Sequence, residues 1–187
     1  MIDELNYNKC QEDFGLELLE DENDLEDILN EMSSYIGWII IHFNSLENSI
    51  AYCVADMITH DPYQDERVDV FLSEMQYSGK SRALINLYGQ VIESLALTTS
   101  KANLTELEKT FVECGKRRNE YAHADWVGMK KENYVCVKTN AKKNGIIRRY
   151  RKYNIDKIKE DIEYICDAEE SLELFHETLN DEINGEI

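Results

Sequence analysis

One stretch of ten residues holds most of the chemistry this chain can offer: Arg117-Arg118-Asn119-Glu120-Tyr121-Ala122-His123-Ala124-Asp125-Trp126. A histidine titrates near neutrality, so it can take or give a proton. An arginine grips phosphate oxygens through a planar fork and stabilises charge on a phosphoryl transition state. An asparagine cannot titrate, but it can fix an imidazole tautomer or hold phosphate. These types suit RNA cleavage in which the ribose 2′-OH is the nucleophile, a route that needs no metal. The candidate catalytic residues are therefore Arg118, Asn119 and His123. One histidine supplies one acid–base group, and two copies meeting at a two-fold axis would supply the second.

A plainer use of the same residues is local pairing. Arg117, Arg118 and His123 lie beside Glu113, Glu120 and Asp125, and a helix end often carries such charges for solvation and dipole compensation alone. Geometry adds a condition. Asn119 and His123 are four apart and share a helix face. Arg118 and His123 are five apart, roughly 140° around a regular helix. They can point together only if the helix ends or bends near His123.

The run Arg118-Asn119-Glu120-Tyr121-Ala122-His123 resembles the Arg-x(4–6)-His signature of HEPN domains, small helical proteins that include metal-independent ribonucleases of bacterial toxin and phage-defence systems. The resemblance implies an antiparallel helical bundle of about four to five helices. It also implies a homodimer whose paired motifs share one cleft, RNA as substrate, no cofactor, no metal ligand, and an antitoxin or defence protein as a further partner. Some toxins of this family carry a tyrosine two residues after the histidine as a site of silencing. This chain has Asp125 there, so that regulation is not implied.

The charge distribution bears on the same question. The 187 residues carry a formal net charge of −18, which repels nucleic acid on average. Between Lys116 and Lys159, however, fourteen Lys and Arg face four acids, a local balance of +10 against −28 elsewhere. The expected RNA contacts are Lys116, Arg117, Lys130, Arg148, Arg149 and Arg151. From Met1 to Glu31 there are twelve acids and one lysine. Residues 1–23 read as an acidic, solvated and partly ordered tail, or as a cover for a basic surface here or on a partner.

Hydrophobic content of 43%, a single proline and few glycines favour long helices. Residues 24–187 read as one mainly α domain with a small β-hairpin inserted at about 133–153. A long helix is expected from about Asp24 to Thr59, with Leu25, Ile28, Met32, Ile36, Ile39, Phe43, Leu46, Ile50, Val54 and Met57 at three/four spacing. The all-round apolar stretch from Trp38 to Ile41 predicts a buried centre, and His60-Asp61-Pro62 the stop. A short helix follows over Glu66–Met75. Another opens at Gly79 with Leu84, Leu87, Tyr88, Val91 and Leu95. After a loop at Thr98–Ala102, a helix capped by Asn103 or Thr105 carries Leu104, Leu107, Phe111 and Cys114 inward. Its inward stripe continues to Arg118 and Ala122, and an arginine on a buried face must be paired or line a cleft.

Tyr134–Thr139 and Ile146–Tyr150 read as strands joined by a tight turn at Asn144-Gly145. Asn154 caps a last helix reaching Ile183, with Ile155, Ile158, Ile162, Ile165, Leu172 and Leu179 along one stripe. His42 reads as a hydrogen-bonded core histidine; His60 and His176 read as surface residues. Five scattered cysteines without a CxxC pair, and an acidic N-terminus, point to a reduced, cytoplasmic setting. The run Tyr35–Phe43 is too short to span a membrane. Two functions fit: a homodimeric endoribonuclease, or a non-catalytic helical module that binds a protein partner or nucleotide.

Overall fold

The computed structural model describes residues 5–7, 22–59, 66–97, 99–129, 133–142 and 145–185. The elements run β1 (Leu5–Tyr7), α1 (Glu22–Ile58), α2 (Glu66–Ser73), α3 (Tyr77–Leu95), α4 (Thr99–Ala122), β2 (Asp125–Met129), β3 (Asn133–Lys142), β4 (Gly145–Tyr153) and α5 (Ile155–Asn184). The protein is mainly helical, as the spacing of its apolar residues requires. It sorts into two compact units, one of residues 1–40 with 118–162, the other of residues 41–117 with 163–187.

The second unit is a helical bundle. Phe43, Leu46, Ile50 and Val54 of α1, Leu84, Tyr88 and Ile92 of α3, Leu107, Phe111 and Cys114 of α4, and Ile165, Leu172, Phe175 and Leu179 of α5 are all buried. Each large apolar side chain so enclosed contributes about 1.5–3 kcal/mol. Pairings along the helices fix their directions. The ring of Phe43 lies 4.4 Å from that of Tyr77, and Glu47 pairs with Lys80 at 2.7 Å. Ser45 and Ser49 donate to Glu169 at 2.8 and 2.7 Å, and Asp56 meets His176 at 3.0 Å. Residue numbers rise together in every pair, so α1 runs in the same direction as α3 and α5.

Helix α4 runs against α3. The Tyr77 hydroxyl donates to the Phe111 carbonyl at 2.9 Å, while Gly89 faces Leu104. Gly115 permits the first of these contacts, because a Cβ there would come within 3.2 Å of the Tyr77 ring. Two neighbouring helices in one direction, α1 and α3, need a long connection. The chain from Ile58 to Tyr77 supplies it, with α2 on the way.

In the first unit, the Oδ1 of Asn154 accepts the backbone N–H of Lys157 at 2.8 Å, the expected cap of α5. The strands form an antiparallel sheet in the order β1-β4-β3-β2. The expected hairpin is β3–β4, flanked by two strands the sequence did not announce. Gly145 is the first residue of β4, opposite Lys142, rather than a turn residue. Asn144 lies outside the described residues, as do His60 and Pro62.

Several expectations need correction. Trp38 and Ile41 are not enclosed: they are 50% and 56% exposed. Apolar residues on every side of a helix do not bury every side, and the stripe through Ile39, Phe43 and Leu46 is the buried one. Helix α4 begins at Thr99, so Asn103 and Thr105 lie inside it rather than at its cap. Within the acidic N-terminal segment, Leu5–Tyr7 pairs with Arg148–Tyr150 of β4, on the basic strand that the cover reading named.

Candidate active site at the end of helix α4

The inward stripe of α4 runs Leu107, Phe111, Cys114 and then Tyr121, all buried; Ala122, expected to continue it, is exposed. A step of seven from Cys114 to Tyr121 closes two turns and keeps the stripe in line. Tyr121 is the last inward residue. Its hydroxyl donates to Asp161 Oδ2 of α5 at 2.6 Å, and the other carboxylate oxygen of Asp161 meets Lys157 Nζ at 2.8 Å. Burial, and then the hydrogen bond to Asp161, hold the Tyr121 phenol far above its ordinary value, so it stays a donor.

The helix ends at Ala122, one residue before His123. His123 therefore leaves the regular helical net, which meets the condition for it to turn from the direction the net would give it. The side chain is exposed, and among the described residues none hydrogen-bonds its ring. Two residues later the chain enters β2. The Trp126 ring stacks on that of Tyr121 at 5.7 Å and 14°, and the edge of Tyr153 meets both at 5.3 Å. The signal for this cluster was in the sequence, as two aromatics flanking the histidine, but Tyr153 is distant in the chain and could not be joined to them.

Arg118 is half-buried, with its Nε out of solvent. It donates through Nη1 to the Oδ1 of Asn119 at 2.9 Å. Asn119 is exposed, and the bond it shows is to Arg118 rather than to His123. The three expected catalytic residues thus divide into a bonded arginine–asparagine pair on the last turn of the helix and a histidine just beyond it.

The expected RNA contacts divide too. Lys116 is exposed and holds Glu113 loosely at 3.4 Å. Arg117 also reaches Glu113, at 3.3 Å, and its guanidinium lies 3.8 Å above the ring of Tyr164. That arginine is committed to its own unit. Arg148, Arg149 and Arg151 occupy β4, opposite Thr139, Lys138 and Cys136 of β3. Lys130 lies outside the described residues.

The second unit holds a histidine that the sequence misplaced. His176 is buried at 8% exposure, not on the surface. Its Nδ1 is 2.9 Å from the Tyr88 hydroxyl and its Nε2 is 3.0 Å from Asp56 Oδ2, with Asn180 at 3.4 Å. An ionised carboxylate only accepts, so opposite ionised Asp56 it is the Nε2 that carries a proton. Burial pushes the Tyr88 phenol far up, and pushes the neighbouring Cys53 thiol up to about 11 and Cys114 to about 12. These are closed, structural groups. His42 is half-buried.

Among the described residues, no cluster of His, Cys, Asp and Glu has the form of a metal site, and no helix is long and apolar enough to cross a membrane. No family model, curated protein or solved structure matches the chain.

Proposed function

We propose that the protein is a metal-independent endoribonuclease of the HEPN type, acting in the cytoplasm as a toxin or phage-defence effector. His123 is its acid–base group. Arg118 stabilises charge on the phosphorus, and Asn119 holds the arginine fork in place. The observation that carries this reading is the exposed imidazole of His123, one residue past the end of α4 and five after Arg118, in a segment of local charge +10. An imidazole in solvent, with no bond to its ring among the described residues, suits proton transfer to an incoming substrate. A homodimer would place two such imidazoles at one scissile bond, one as base and one as acid.

Light scattering tests the dimer: the mass should be twice 21.9 kDa. Expression in a bacterial host tests the activity. Wild type should arrest growth, and His123→Ala should relieve the arrest at equal protein level. Arrest that persists in His123→Ala removes the histidine from the mechanism.

A second reading is a non-catalytic helical module that docks a protein partner. It draws on an apolar groove of 320 Å³ among α1, α2 and α3, lined by Val54, Ile58, Phe71, Leu72, Met75 and Leu87. Phe71 at its edge is 70% exposed. A monomer without RNA cleavage would favour this reading.

A further inference from the structure

We propose that Trp126 is the positioning residue for His123, a role that rests on His123 being the acid–base group of the reaction above. The indole N–H of Trp126 donates to the carbonyl of Tyr121 at 3.3 Å. That carbonyl is among the last four of α4, which have no partner inside their own helix. The bond therefore closes the chain on itself from Tyr121 to Trp126, with His123 inside the closed loop.

Both ends of the loop are fastened from outside. Tyr121 is anchored by its hydroxyl to Asp161, and Asp161 by Lys157. Trp126 is clamped by its stack on Tyr121 and by the edge of Tyr153, which is itself buried. Between these anchors Ala122 and His123 stand in solvent. An exposed side chain on a pinned turn is the arrangement a proton-transfer group needs, reachable by substrate yet held near one geometry. A displacement of about 1 Å can cost on the order of 10²-fold in rate. A carbonyl at an exposed helix end would ordinarily be satisfied by water. Here an indole of the following strand takes it across the histidine, and the ring that brings the donor is the ring that stacks.

The experiment is Trp126→Phe, which keeps an aromatic ring for the stack and removes the donor together with the second ring of the indole. Circular dichroism should stay close to wild type, with melting lowered only by the lost ring contacts. The His123 ring signals in nuclear magnetic resonance should move toward those of an unstructured peptide, because the turn is released. In RNA cleavage, kcat should fall about 10-fold while KM stays within about two-fold, the signature of a group misplaced rather than a substrate lost. Wild-type ring signals together with wild-type kcat in the folded variant would overturn the role. If the wild-type protein cuts no RNA, the ring signals alone decide, and the failure of the nuclease reading is seen separately. If the variant does not fold, the wild-type protein decides. Its Trp126 indole N–H should exchange with deuterium at least about 10-fold more slowly than free indole, as a closed bond requires. Exchange at the free rate would overturn the proposal.

Discussion

His176 is enclosed by helices of the second unit and both its ring nitrogens are engaged; His123 stands in solvent on a turn of the first, with no bond to its ring among the described residues. The two have the same chemistry and opposite surroundings. His176 fills its hydrogen-bonding capacity inside the protein, joining α1, α3 and α5 through Asp56 and Tyr88. What it contributes is measured in stability. His123 makes no ring hydrogen bond among the described residues, and the proposed reading gives it a substrate instead. What it contributes must be measured against a substrate. A histidine's value to function is set by which partners it lacks, and only the folded structure shows that.

The largest expected effect separates the two residues. His123→Ala should lower RNA cleavage by roughly 10²–10⁴-fold, the usual worth of a proton-transfer group, and leave the melting temperature unchanged. His176→Ala should do the reverse. It removes a partner of the buried Tyr88 hydroxyl and of half-buried Asp56, which costs about 1–3 kcal/mol of stability, while cleavage per folded molecule stays the same. Urea unfolding beside a cleavage assay measures both. If His176→Ala abolished cleavage in a folded protein, the division between the units would be wrong.

The anchors of the two units can be compared next. Tyr121→Phe loses a hydroxyl bond to the Asp161 carboxylate and should cost about 1.5–3 kcal/mol, the range for a bond to a charged group. The buried thiols and phenols respond to pH instead. Cys53 and Cys114 have folded values raised to about 11 and about 12 from 9.0. Their contribution is complete below pH 9, where both folded and unfolded chains are protonated. It is lost as pH rises towards 11 and 12, because the unfolded chain ionises first. The melting temperature should fall across that window, and a thiol reagent at pH 8 should reach these two cysteines only after unfolding. The smallest effect is at Ala96, which ends α3 with φ +56° while Leu97 donates to Ile92. Glycine adopts that conformation without strain, so Ala96→Gly should raise stability by up to about 1 kcal/mol, as a shift of the urea midpoint.

The helices were legible because burial repeats along them. Met32, Ile39, Phe43, Leu46, Ile50 and Val54 are enclosed as their spacing required, and Asn154 caps α5 as its side chain allows. The ends of elements were less legible. α4 starts at Thr99, ahead of Asn103 and Thr105, because a residue type that can cap a helix does not fix where the helix begins. The environment of single polar residues was not legible at all. Asp56 and Tyr88 are far from His176 in the chain, so its burial was invisible, and an apolar run gave no sign that Trp38 and Ile41 face outward. At the motif, the residue types were plain in the sequence. The stop of α4 at Ala122, the Arg118–Asn119 bond and the closure by Trp126 were not, because each depends on where the helix ends.

The central claim is that His123 transfers protons in a cleavage that needs no metal. The direct measurement is the fate of a single-stranded RNA incubated with purified protein in EDTA, with its product ends identified and a matched DNA alongside. Wild type should cut the RNA to 2′,3′-cyclic phosphate ends and leave the DNA whole, and His123→Ala, folded and of the same mass in solution, should cut at least about 100-fold more slowly. Equal cleavage by the two proteins, or cleavage by wild type only when magnesium is restored, would contradict it.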